Sequence, residues 1–188
     1  MSMKRVEIIP HPRPPFLFDI ETSGLDPFDH EVRVYGILDT IDGEIEIKTA
    51  NKPSRERDLI GNLILLLLEN PQWGGWNITE FDLSFISVRA HLHGLNLPIR
   101  PTNEEPFLGK YGKPRVVVPA RTIIDLAYEN RYQEIAEIAG VRHSLQSVAK
   151  ALGFKPIIDM TGEEAATASV IDAATHCLDD LEAMYFII

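Results

Sequence analysis

A single cysteine, Cys177, in a chain of 188 residues excludes an internal disulfide framework and fits a reducing compartment. No run of membrane-spanning length stands out: the apolar stretch Leu59 to Leu68 is short, is interrupted by Gly61 and Asn62, and reads as a buried helix. Met1 to Pro15 carries bases and prolines without an apolar signal core, so no secretory address is visible and a cytoplasmic location is the default expectation. Internal repeats, low-complexity tracts and interdomain linkers are missing too. One domain over residues 1–188 is expected, with 1–15 as a proline-rich lead-in.

Positive charge is also scarce. Eighteen Lys and Arg against 28 Asp and Glu leave a net charge of −10, which argues against broad, nonspecific binding of nucleic acid. The distribution is uneven: Arg89 to Lys155 holds ten bases and six acids, a local +4, and the remainder carries −14. Such a middle segment suits a phosphate backbone, and the acidic remainder suits cations. Ordinary surface variation produces the same pattern, so charge alone does not choose.

What is present is an α/β pattern. Phe16 to Ile20 is a short apolar strand, Glu31 to Thr40 and Glu44 to Thr49 alternate as strands, and Asp42-Gly43 turns between them. This makes an antiparallel meander. Ser54 is the expected N-cap of a helix through Glu69, stopped by Asn70-Pro71. A strand at Trp73 to Trp76 and a helix from Asp82 to His93 follow, the helix closed by Gly94. Leu97 to Arg115 reads as a loop, Val116 to Val118 and Thr122 to Leu126 as strands, and Ser144 to Leu152 as a short helix. Glu163 to Ile188 is a helical tail broken near Ser169. The order predicts a mixed central sheet flanked by helices.

Chemistry is concentrated in three short clusters. In Phe16-Leu-Phe-Asp19-Ile-Glu21-Thr-Ser-Gly24 a strand delivers two acids at i and i+2, hence to one face. Hard carboxylate oxygens of this kind suit Mg²⁺ or Mn²⁺, although solvated acids at a strand end have the same spelling. In Trp76-Asn77-Ile-Thr-Glu-Phe81-Asp82 the aspartate either caps a helix or faces the first pair, and Asn77 either caps the loop or bonds a nucleotide. In His176-Cys-Leu-Asp179-Asp180 the histidine and Asp180 are four apart and share a helix face, while Asp179 points elsewhere, expected in solvent. A histidine there can take a proton from water, or it makes only a surface contact.

Together the clusters resemble those of the DEDD (DnaQ-like) superfamily of 3′–5′ exonucleases, whose fold is ribonuclease H-like. "FDIETSGL", "NITEFD" and "HCLDD" resemble its three motifs. "WNITEFDLSFISVRAHLHGL", "SLQSVAKALGF" and "TIIDL" are similar to the exonuclease domains of family B DNA polymerases, with Asp125 read as structural. The resemblance implies four metal-associated acids, Asp19, Glu21, Asp82 and Asp180, holding two divalent cations, Mg²⁺ or Mn²⁺. It makes His176 the residue that positions or deprotonates the attacking water, and Cys177 a packing residue. Thr22, Gly24, Leu25, Asn77 and Phe81 would contact substrate. His176 stands at the spacing of the family's tyrosine branch, four before Asp180, and Leu181 occupies the histidine branch's distance of five.

The implied activity is hydrolysis at the 3′ ends of single-stranded DNA with release of nucleoside 5′-monophosphates. No membrane partner is implied. No polymerase segment follows Ile188, so the expectation is a nuclease that stands alone or serves a polymerase or repair partner in trans. An exoribonuclease, a non-catalytic module of the same fold and a ribonuclease H-type endonuclease are the alternatives. Phe81, Trp76, Phe107 and Tyr111 are candidates to stack on bases, with core packing the competing role for Phe81 and Trp76.

Overall fold

The computed structural model describes residues 13–70, 72–96, 100–101, 116–117 and 122–188. The last residue, 118, of the expected strand at Val116 to Val118, most of the loop at 97–115, and the stacking candidates Phe107 and Tyr111 lie outside the described residues.

A five-stranded sheet carries the fold. β1 (Phe16–Thr22), β2 (Val32–Asp39) and β3 (Ile45–Thr49) form the expected antiparallel meander. β4 (Gln72–Gly75) joins β1 in parallel at Leu17 and Gly74, and β7 (Thr122–Asp125) pairs in parallel with β4. The sheet is therefore mixed, as the element order predicted. A separate antiparallel pair joins β5 (Arg100–Pro101) to β6 (Val116–Val117).

β1 runs two residues beyond the expected Ile20, so Asp19 and Glu21 both lie inside a strand at the middle of the sheet. Strand alternation then divides the core. Phe18 and Ile20 enter a cluster with Leu59, Ile60 and Leu63 of α1 (Glu56–Glu69) and Leu83, Phe85 and Ile86 of α2 (Asp82–Leu92). Leu17 enters the opposite cluster with Leu145 and Val148 of α4 (Leu145–Ala151) and Leu181 and Met184 of α6 (Val170–Ile187). Asp19 and Glu21 follow Leu17 in register and so belong to the α6 face.

Several local expectations are corrected. Ser54 is not a cap: it sits in a 3₁₀ turn, and α1 begins at Glu56 without a side-chain cap. The Glu56 carboxylate is instead buried among the Val32 amide, Arg89 and His93, which tie α1 to β2 and α2. A helix the pattern did not reveal, α3 (Asn130–Ala139), packs against α4 with only Tyr132 and Ala136 buried. The tail does break near Ser169. α5 (Gly162–Thr167) ends there, and the Ser169 hydroxyl accepts the Asp172 amide to start α6. Gly94, at φ 66°, follows α2 in the left-handed conformation that closes a helix. Among the described residues no helix is long and apolar enough to cross a membrane.

Candidate metal centre

The site is assembled where α6 crosses β1 and β2. Asp19 pairs with Gly36 of β2. A Cβ on Gly36 would lie 2.6 Å from Leu181 Cδ1 and 2.7 Å from Cys177 Sγ. The missing side chain lets α6 lie directly on the sheet. Cys177 is fully buried there, as packing required, with Sγ 3.8 Å from the Asp19 carbonyl oxygen. One turn of α6 then places His176 and Asp180 over the acids of β1.

His176 is buried, not at the surface, and lies between two carboxylates. Its Nε2 is 3.9 Å from Glu21 Oε1, and its Nδ1 is 3.9 Å from Asp180 Oδ1. Both separations exceed hydrogen-bond length. Nδ1 is shut off from solvent with no partner, and so is Asp19 Oδ2, although Asp19 as a residue is half-buried. Glu21, His176 and Asp180 offer ligand atoms that all lie within 4.8 Å of one another, close enough to share an ion.

The second cluster reaches the site through the backbone. Asp82 is the first residue of α2, and its Oδ1 accepts the Ile20 amide at 3.1 Å. That amide lies past the single β1–β4 pairing, where the ladder has ended. The chain between is held by Asp125, at the end of β7. Its carboxylate accepts the amides of Asn77 (2.8 Å), Thr79 (3.0 Å) and Ala127 (3.2 Å), and the Thr79 hydroxyl (2.6 Å). Asp125 is thus a structural acid, and Asn77, at φ 59°, takes the left-handed turn that asparagine tolerates.

The electrostatics of the four acids favour a positively charged partner. Burial, and then the carboxylates of Glu21, Asp180 and Asp82, push Asp19 well above the ordinary carboxylate range. Burial with Asp180 and Asp82 does the same to Glu21, with Arg33 pulling weakly the other way. Burial raises Asp82 to about 8 against the opposing Ile20 hydrogen bond. Asp180 is raised by burial, opposed by His176 and by a hydrogen bond from Gln146. Four interacting carboxylates shielded from water are compatible with ionisation only beside compensating positive charge. Hard oxygens with one imidazole and unpaired buried atoms fit a divalent cation such as Mg²⁺ or Mn²⁺.

The remaining predicted residues surround this cluster unequally. The Thr22 hydroxyl is committed to the Gly24 carbonyl at 2.7 Å, and a side chain on Gly24 would strike the His30 ring. Leu25 is exposed at 57%, and Asn77 and Phe81 are half-buried. Phe81 packs on the α1–α2 cluster and against Phe85 at 5.7 Å. Trp76 packs on the opposite face, with Tyr132 and the exposed His143 beside it.

Two residues escape the sequence reading. Asp179 is not in solvent: it is fully buried and accepts the amides of Ile157 and Ile158, each at 2.8 Å, so a loop was hiding it. Gln146 of α4 donates its amide to Asp180 Oδ1, a contact that no local spacing encodes.

No curated protein matches the chain in sequence. Its fold is similar to the family B DNA polymerase from the hyperthermophilic archaeon Pyrobaculum calidifontis, with a TM-score of 0.68 and 20% identity. That likeness covers 95% of this chain and 24% of the polymerase, so the chain spans about a quarter of its neighbour's length. It agrees with the resemblance to family B polymerases read from the motifs. The family model for the RNase_H superfamily matches residues 16–168, including the first two acid clusters and the whole sheet. The chain, with its mixed sheet and flanking helices, belongs to the RNase_H superfamily.

Proposed function

We propose that residues 1–188 act as one divalent-cation-dependent 3′–5′ exonuclease domain on single-stranded DNA ends, releasing nucleoside 5′-monophosphates. Superfamily membership supports a nuclease-type activity. The observation that carries the finer reading is the convergence of Asp19, Glu21, Asp82 and Asp180 with His176, each acid held above its ordinary range. Bound there, two cations would stabilise the attacking and leaving oxygens of a phosphodiester.

The chain's own residues supply the rest. His176, between Glu21 and Asp180, is placed to take a proton from water as its oxygen attacks phosphorus. The bond from phosphorus to the 3′ oxygen of the preceding nucleotide breaks, and that oxygen leaves to gain a proton. Asp82 keeps the Ile20 backbone, and with it Asp19 and Glu21, in place. Leu25, Asn77 and Phe81, with the Thr22–Gly24 turn behind them, would border the terminal nucleotide. A polymerase or repair protein would supply the substrate, in a reducing, cytoplasmic setting.

The test is a gel time course on 5′-labelled single-stranded DNA and matched RNA in Mg²⁺, Mn²⁺ and EDTA, beside Asp180→Ala. Stepwise shortening from the 3′ end of DNA, lost in EDTA and in the variant, is expected. Faster shortening of RNA would make this an exoribonuclease. Internal cuts, or no cleavage in either metal, would overturn the exonuclease reading.

A further inference from the structure

Gln146 joins two helices at the acid cluster. Its neighbours Leu145, Val148 and Ala149 are buried in the packed cluster that α4 shares with α6. Between them the Gln146 side chain reaches across 34 positions of sequence, and its Nε2 donates to Asp180 Oδ1. The carbonyl of the same amide, Oε1, is buried with no hydrogen-bond partner. An amide carbonyl buried unpaired is destabilising, and a methionine of similar shape would fill the same space without that penalty. A side chain that served packing alone has no use for the amide.

Asp180 meanwhile stands among like charges, and its nearest cation candidate, His176, is 3.9 Å away. Without Gln146, nothing among the hydrogen bonds of the described residues holds that carboxylate. We propose that Gln146 is a positioning residue of the metal centre. Its N–H orients the Asp180 carboxylate so that, with Glu21, it holds a divalent cation beside His176. Its carbonyl accepts a hydrogen bond from a water or substrate group admitted with that cation. This inference rests on the cation-dependent reading above. Outer partners that orient ligands commonly change cation affinity or activity by about 10- to 100-fold when removed.

The experiment titrates Mn²⁺ alone into wild type, Gln146→Met and Gln146→Asn, followed by electron paramagnetic resonance, with thermal unfolding in EDTA and cleavage assays alongside. Methionine keeps the shape without the amide, and asparagine keeps the amide but is one methylene too short. Both variants are expected to unfold cooperatively in EDTA and to bind Mn²⁺ about 10- to 100-fold more weakly. Excess Mn²⁺ should recover much of the lost rate. In an Asp180→Asn background, Gln146→Met should produce no further loss, because the residue acts through Asp180. Wild-type Mn²⁺ affinity in a folded variant, or full additivity with Asp180→Asn, would overturn the proposal and leave the nuclease reading standing. Failure of both variants to fold would assign Gln146 to the core and overturn it too. A wild type that binds no Mn²⁺ would remove the cation-dependent reading, and this inference with it.

Discussion

Asp82 and Ile20, separated by 62 positions, are joined by one hydrogen bond from the Ile20 amide to the Asp82 carboxylate at 3.1 Å. The bond locks the start of α2 to the strand that carries Asp19 and Glu21. It also separates two tasks that one residue performs. Asp82→Asn keeps an oxygen for the amide but loses the charge; Asp82→Ala loses both. The alanine variant should be about 1–3 kcal/mol less stable than the asparagine variant in EDTA, by urea denaturation. Both should lose cation-dependent cleavage. Equal stabilities would show that the hydrogen bond contributes nothing.

Gly36 is the point where α6 rests on the sheet. Alanine there meets Leu181 Cδ1 at 2.6 Å and Cys177 Sγ at 2.7 Å, so α6 or the side chains it sets against the sheet must shift. Overpacking of this kind costs about 1–3 kcal/mol. The same displacement carries His176 and Asp180 from Glu21, so Gly36→Ala should weaken Mn²⁺ binding without touching a ligand. Calorimetric titration of the folded variant would show it. Unchanged affinity would mean that the centre tolerates movement of α6.

His176→Ala separates proton transfer from cation binding. If the imidazole takes the proton from water, single-turnover cleavage should slow by roughly 10²- to 10⁴-fold while Mn²⁺ affinity is largely kept. Loss of Mn²⁺ binding in proportion to rate would make His176 a ligand, a role its 3.9 Å approach to both neighbouring carboxylates also permits.

Stability should depend on pH with an unusual sign. Asp82 titrates near 3.8 when unfolded and about 8 when buried, and Asp19, Glu21 and Asp180 shift the same way. A raised carboxylate stabilises the fold while it holds its proton, and that contribution is lost as pH climbs between the two values. Tm in EDTA should therefore fall as pH rises from about 4 to about 8, while saturating Mg²⁺ should flatten the fall. Asp19→Asn should be more stable than wild type at the alkaline end in EDTA and gain little from Mg²⁺. A wild-type Tm that rose across this range in EDTA would contradict the coupled, uncompensated carboxylates.

Much of this was written locally. The i, i+2 spacing of Asp19 and Glu21 on an apolar strand, the turn at Asp42-Gly43 and the alternation of β2 and β3 are short-range patterns, and short-range patterns survive in a sequence. α3 was missed although Tyr132, Ile135, Ala136 and Ala139 recur at helical spacing, because no side-chain cap marks its start and only Tyr132 and Ala136 are buried. Asp179 was misplaced because helical spacing says where a side chain points, not which loop comes to cover it.

The sequence by itself determined the strands of the central sheet, its mixed character, and the residue types able to hold a hard cation, since periodicity and donor chemistry are properties of neighbouring residues. Only the tertiary structure decided which of them meet. Asp82 reaches β1 through a backbone amide, α6 reaches it through the gap at Gly36, and Asp180 is met by Gln146 from a separate helix. Burial and charge coupling depend on distance in space, and chain positions as far apart as Asp19 and Cys177 become neighbours only when the core packs.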